Sequence, residues 1–433
     1  MKNLNRSKKL LEKIKKYECP NITYIEENFP FVMHSAKGLK VKDVDGNFYY
    51  DFTSCFGVQA LGHKSKVVTS SLRKQMSKLI HGMGDIFPSE SKIRLLELLS
   101  NITGFESAKT ILGLNGGDAV EAAMKTAILV TSKDKFLYFS GAYHGLQFGP
   151  LAVNGREYFR KGFEKWLYEK SSELPFPLNS KLESLPNEVL KKYNLAHESH
   201  VLDLLEKKLK TGDYAALILE PIQGRAGERE FSKDFLTHCQ YLTKKYGSLL
   251  IFDEIYTGFG RTGSLFASQD VGLWPDILCL GKALGGGLPL SACLGDIVGE
   301  WETSRGEARH TSTFLGHPLS CEVAYRTIKA IIKLLKEPLF QKRKDCFFSA
   351  LQRAQETLSE KYGPSLLMGK GFMLGLWFYT QPQGFAFELS KKLLSQGFLT
   401  LPSGLDGTTL SLTPPLVTDD KEISLFTKAI LKL

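Results

Sequence analysis

The sequence predicts an α/β fold, a mainly parallel sheet covered by helices with a smaller α+β lobe attached, on three observations. Five short apolar runs, "KTILGL" (109–114), "KFLYFS" (135–140), "AALILE" (215–220), "SLLIFDE" (248–254) and "DILCLG" (276–281), have the length and composition of buried strands. The segments between them are long enough for the crossover helices that parallel neighbours need. At 433 residues the chain also exceeds what a single core supports.

The elements follow in chain order. The opening "MKNLNRSKKLLEKIKKYECP" has no continuous apolar core and no small-residue cleavage site, so it reads as an amphipathic helix with Leu10, Leu11 and Ile14 on one side. "FVMHSAKGLKVKDVDGNFYYDF" alternates like strands around the Asp45-Gly46 turn and is expected to pack with the smaller lobe. After the first apolar run, "NGGDAVEAAMKTAILV" opens a helix with Val120, Met124, Ala127 and Ile128 on one face. Residues 145–200 are irregular, rich in charge and proline, and read as a loop-rich excursion that shapes a substrate entrance. "FSKDFLTHCQYLTKKYG" is a crossover helix with Phe235, Leu236, Cys239 and Leu242 inward and Gly247 as its stop. From about residue 320, "CEVAYRTIKAIIKLL" begins a long helix, and "GFMLGLWF", "GFLTLP" and "TTLSLTPPLV" supply strands of the smaller unit. The expected division is 1–55 packing with the small domain, 56–319 as the large domain and 320–433 as the C-terminal small domain.

Composition narrows the function classes. The 56 basic and 46 acidic residues give a formal charge of +10, but apart from a lysine-rich start the charges are scattered and no nucleic-acid motif accompanies them. The seven cysteines form no CxxC or Cys/His cluster along the chain, which fits reduced thiols in a cytoplasmic protein without a metal site. No apolar run has the length to cross a bilayer.

Four features carry chemistry, each with a plainer alternative. In "LNGGDAVEAAMK", Gly116 and Gly117 let backbone N–H groups approach a phosphate at a helix N-terminus, or the turn with Asp118 is only a helix cap. In "FSGAYHGL", Tyr143 and His144 follow a strand; the aromatic ring either stacks on a planar ligand or is ordinary core. In "LLIFDEIYTG", Asp253 ends a buried run, where a carboxylate needs a cationic or strong donor partner such as a protonated pyridine nitrogen; a solvated acidic turn is the alternative. In "ILCLGKALGGGLPLSA", Lys282 stands at a strand end, as a desolvated amine suited to a Schiff base or as a surface cation.

Phosphate site, stacking aromatic, carboxylate and lysine arrive in this order, each after an apolar run, and together they are what a pyridoxal phosphate enzyme supplies. Over nearly its whole length the chain resembles the class III pyridoxal-phosphate-dependent aminotransferases, of the ornithine, acetylornithine and 4-aminobutyrate type. The stretches are "DVDGNFYYDFTSCFGVQALGH", "NGGDAVEAAMK", "GAYHG", "LILEPIQG", "LLIFDEIYTGFGRTG", "PDILCLGKALGGGLPLSA", "TSTFLGHPLSC" and "LSLTPPLV". The resemblance implies a fold-type-I transferase with a seven-stranded sheet, pyridoxal 5'-phosphate as cofactor, an amino donor and a keto-acid acceptor as substrates, and a cytoplasmic homodimer with shared sites. It implies that Lys282 forms the Schiff base and shuttles protons, and that Asp253 pairs with the pyridine nitrogen. Tyr143 and Ile255 would flank the ring, with His144 beside it and Gln223 near its phenolic oxygen. Gly116, Gly117 and Asp118 would surround the phosphate, Ser312 and Thr313 would reach it from the neighbouring subunit, and Arg261 and Gly263 would be structural.

The chain departs from the family pattern around the substrate. Ser411 stands where many members have an arginine that grips the substrate carboxylate, and Arg225 stands where those members have a glutamate. Phe56 replaces a tyrosine that contacts substrate in ornithine-type members. Either Arg225 takes over carboxylate binding, or it pairs with a surface acid such as Glu228 and the pocket suits a substrate lacking a nearby carboxylate. An aminomutase of the glutamate-1-semialdehyde type, a racemase, and a cofactor-binding subunit without turnover are the alternatives to transamination.

Overall fold

The computed structural model describes residues 4–21, 29–167, 171–301 and 306–433. A seven-stranded sheet holds β1 (Lys109–Gly113), β2 (Lys135–Phe139), β3 (Ser171–Leu174), β4 (Tyr214–Leu219), β5 (Leu249–Asp253), β6 (Ile277–Leu280) and β7 (Ser291–Gly295), in the order β1-β7-β6-β5-β4-β2-β3. All neighbours are parallel except β7, which runs antiparallel to both β6 and β1. Alternate residues of each strand point to opposite faces, and both faces are covered. One face packs Ile251, Ile277, Cys279 and Cys293 against Ala119, Ala123 and Ala127 of the helix Gly116–Thr131. The other packs Leu217, Leu250, Phe252 and Leu278 with Phe235, Leu236 and Cys239 of the helix Lys233–Lys245. Burial on both sides is why the strands read as unbroken apolar runs.

Two strands escaped the pattern. β3, "SSEL", lies inside the stretch expected to be loop; as an edge strand it keeps polar residues, while Tyr168, Glu169 and Lys170 just before it lie outside the described residues. β7, "SACLG", is buried throughout but built of small residues. Ile128, expected inward, is 38% exposed, because the helix turns it past the packed stripe of Val120, Met124 and Ala127.

The N-terminal strands Met33–Lys37, Lys40–Asp43 and Phe48–Asp51 form an antiparallel meander, and Phe398–Leu399 joins its edge in parallel with Phe48–Asp51. Asp43 closes the turn, accepting hydrogen bonds from the Asp45 and Asn47 amides. Asp45 accepts from the Arg6 and Ser7 amides and thereby docks the helix Asn5–Tyr17, whose Leu11 is buried. A second antiparallel sheet runs Leu366–Lys370, Met373–Trp377, Thr409–Leu412 and Leu401–Ser403 in spatial order. The long helices Pro318–Leu335 and Pro338–Tyr362 precede it, each with proline in its first turn, where the missing N–H has no intrahelical partner to lose. No helix among the described residues is long and apolar enough to cross a membrane.

Candidate active site

The chemistry-bearing residues collect just past the C-terminal ends of β1, β2, β4, β5 and β6, where open α/β sheets place ligands. Asp253, the last residue of β5, is buried, with Oδ2 2.9 Å from His144 Nδ1 and Oδ1 accepting the Ile255 amide at 3.1 Å. That contact assigns the imidazole hydrogen to Nδ1 and leaves Nε2 buried without a partner. Two residues past β6, Lys282 adopts a left-handed backbone (φ 43°), which lifts its side chain off the strand line. Its Nζ lies 4.5 Å from the centroid of the Tyr256 ring. Desolvation holds the Lys282 amine below the usual lysine range; Asp253 and Glu220 oppose that shift and Arg225 adds to it.

Gly116, Gly117 and Gly281 open the space between these groups. A Cβ on Gly116 would lie 2.8 Å from Ile255 Cδ1, one on Gly281 would lie 3.1 Å from Ile255 Cγ2, and one on Gly117 would run into the Gln147 carboxamide. Ile255 therefore borders the cradle formed by the first helical turn of Gly116–Thr131. Asn115 caps that helix, its side chain accepting the Asp118 amide at 3.2 Å, while Asp118 accepts the Leu114 and Asn115 amides at 2.8 and 3.2 Å. Asp118 thus serves the turn as part of a helix cap, the plainer of the two sequence readings of "NGGD", and the first-turn N–H groups of a capped helix remain available to an anion.

Tyr143 is half-buried, and its amide donates to Glu220 at 2.9 Å. Glu220 also accepts the Gly224 amide, at 3.0 Å. Burial pushes its carboxyl up, against the nearby His144. Sequence reasoning passed over Glu220, although it ends an apolar run just as Asp253 does. Gln223 donates to the Ser140 carbonyl at 3.0 Å and leaves its Oε1 buried and unpartnered. Arg261 is buried and donates to the carbonyls of Phe372 and Pro414, a structural clamp as expected.

Around the substrate side the picture shifts. Glu228, named as a surface acid, is fully buried; it accepts the Ser411 hydroxyl, and its other oxygen has no partner. Burial raises its carboxyl to about 8. The strand Thr409–Leu412, about 180 residues later in the chain, covers it, which no local pattern could reveal. Arg225 makes no salt bridge to Glu228; its guanidinium lies 5.6 Å above the Tyr143 ring. Phe56 is half-exposed and, with Ser54 and Cys55, forms three consecutive non-glycine residues at positive φ. The fold also builds a cluster invisible along the chain: Cys55 Sγ lies 3.9 Å from His63 Nε2, which is 2.8 Å from Asp51 Oδ2. Ser312 and Thr313 are exposed, between Thr311, which donates to Asp85, and Phe314, which packs on His81.

The donor set fits pyridoxal phosphate. Three glycines clear a cradle at a helix N-terminus, a buried carboxylate has lone pairs to spare, and the orphaned His144 Nε2 and Gln223 Oε1 mark polar positions left for a ligand.

Fold and site define a pyridoxal-phosphate-dependent enzyme. The class-III aminotransferase family model matches residues 23–433, and the chain belongs to that family. The acetylornithine aminotransferase of Archaeoglobus fulgidus is 32% identical over 393 residues, covering 90% of this chain and 92% of the relative. That of Aquifex aeolicus is 32% identical over 410 residues, covering 93% and 97%. Among solved structures, an aminotransferase of Bacillus anthracis superposes with a TM-score of 0.86 at 22% identity, covering 99% of this chain and 98% of its own. The ornithine aminotransferase of Toxoplasma gondii does so with a TM-score of 0.81 at 24% identity, covering 100% and 94%. The protein is a pyridoxal-phosphate-dependent aminotransferase that moves an amino group from an amino donor to a keto acid.

Proposed function

We propose that Lys282 and Asp253 carry the transamination and that Arg225 receives the substrate carboxylate. Pyridoxal phosphate, when bound, supplies an electrophilic carbonyl and an electron sink. Asp253, held by His144 and the Ile255 amide, would keep a proton on the ring nitrogen. The cradle of Gly116 and Gly117 would take the phosphate, and Tyr143 and Ile255 would border the ring. Lys282 Nζ, its proton loosened by burial, accepts a proton from the substrate Cα and returns it one step later. The observation that carries this reading is the approach of Lys282, Asp253 and the glycine cradle to one strand-end crevice. Replacing Lys282→Ala is expected to cut turnover by about a thousandfold or more, in the range of a lost acid–base group, and to abolish the visible absorption of the bound cofactor. A variant that kept that absorption and its rate would remove Lys282 from the mechanism. Wild-type enzyme is expected to stall after one amine turnover until a keto acid is added.

The same reading includes a cytoplasmic homodimer. Support comes from the exposed Thr311–Phe314 stretch beside an apolar surface of Leu79, Ile80, Met83, Ile86 and Phe87, which would place Ser312 and Thr313 at a partner's phosphate. A division at residues 55 and 319 belongs to it as well, supported by the pairing of Phe48–Asp51 with Phe398–Leu399.

A further inference from the structure

Arg156 lies in the 145–200 stretch that sequence reads as loop-rich, just before the short helix Glu157–Arg160, and no motif marks it. Its Nη1 donates to the Arg225 carbonyl and to the Gly404 carbonyl at 3.3 Å, fastening the turn after Gln223 to the loop before the Thr409–Leu412 strand. Its guanidinium lies 5.8 Å from the Phe159 ring, and Phe159 meets Tyr143 edge-on at 5.5 Å, with Arg225 over Tyr143. Two guanidiniums thus flank one aromatic pair. Among the described residues neither forms an ion pair with a carboxylate, although an uncompensated, partly buried cation is costly. Glu220, the carboxylate that acts on Arg156 through its charge, has both oxygens bonded to backbone amides. Burial and the charge of Arg225 lower Arg156 to about 10.

We infer that Arg156 is a positioning residue for substrate carboxylates: it fixes the backbone of Arg225 and, by its charge, leaves Arg225 to be neutralised by an incoming anion. The missing counter-ion is then the carboxylate of an ω-amino acid or keto acid, held at the Tyr143 face. This rests on the carboxylate reading of Arg225. Arg156 acts through Arg225: its Nε is buried without a partner and its Nη1 is committed to the two carbonyls.

The test compares 4-aminobutyrate with butylamine as amine donors to the holoenzyme, and measures binding of propionate as an inert carboxylate by spectral titration. Arg225→Gln is expected to weaken propionate by about tenfold or more, the value of one charge-assisted hydrogen bond, and to penalise 4-aminobutyrate more than butylamine. Arg156→Gln is expected to show the same bias, in KM more than in kcat, and Arg156→Lys a smaller one, since an ammonium keeps the charge but not the fork. If Arg225→Gln showed no bias, the carboxylate reading itself would fall. If Arg225→Gln showed it while both Arg156 variants lost propionate affinity not at all, or lost both amines equally, the positioning role alone would fall.

Discussion

At the scale of single residues, Glu228 shows how far tertiary burial can override a charged residue's surface preference. Its carboxyl sits at about 8, against an ordinary value of 4.5, because desolvation outweighs the Ser411 hydroxyl and the Arg225 charge. Between those values the folded chain holds a proton that the unfolded chain has released, so stability is fully present below pH 4.5 and is lost as pH rises through 8. Glu228→Gln keeps an acceptor for Ser411 and removes the titration. The variant is expected to flatten the fall of Tm with pH across this window, where each tenfold difference in proton affinity between the folded and unfolded chain is worth about 1.4 kcal/mol. Superimposable Tm profiles for the two proteins would show that Glu228 does not titrate there. The strand-end positions of Lys282 and Asp253 were legible because each directly follows an apolar run. Glu220 carried the same signal unheeded, and Arg156 carried none, because its partners are backbone carbonyls distant in sequence.

At the scale of elements, β2, β4, β5 and β6 could be read because both of their faces are buried, and the other edge strand, β1, because it keeps the apolar run Ile111-Leu112 at its buried end. β3 failed that test as an edge strand and β7 as one of small residues; the antiparallel entry of β7 leaves no crossover helix to announce it. The glycine turn that opens Gly116–Thr131 was legible as a helix cap, and the structure shows that cap. Asn115→Ala would remove one arm of that cap and is expected to cost about 1 kcal/mol of stability in denaturant unfolding. It would also free Gln147, whose amide donates to Asn115 at 2.7 Å over Gly117, so phosphate-dependent cofactor retention should weaken in parallel. Loss of stability without loss of retention would separate the cap from the cradle.

At the scale of the whole molecule, Leu79, Ile80, Met83, Ile86 and Phe87 are exposed along one stretch, with Phe314 beside it, and clustered exposed apolar side chains mark interaction surfaces. On the proposed homodimer, Ile86→Asp combined with Phe87→Asp is expected to halve the sedimenting mass and to lower cofactor affinity, since Thr313 would lose its partner site. A variant of unchanged mass would overturn the proposed subunit contact at this surface. The sequence shows strands at both ends of the chain, but not that the first and last of them pair. Tyr50 pairs with Phe398, so the first sheet of the chain is completed by one of its last strands. On the ribosome that edge stays open while roughly 350 further residues are made, about 20 to 70 s at ordinary elongation rates. During that interval the nascent chain carries an unpaired strand edge beside Phe52, and its vulnerability to aggregation ends only when the C-terminal residues emerge.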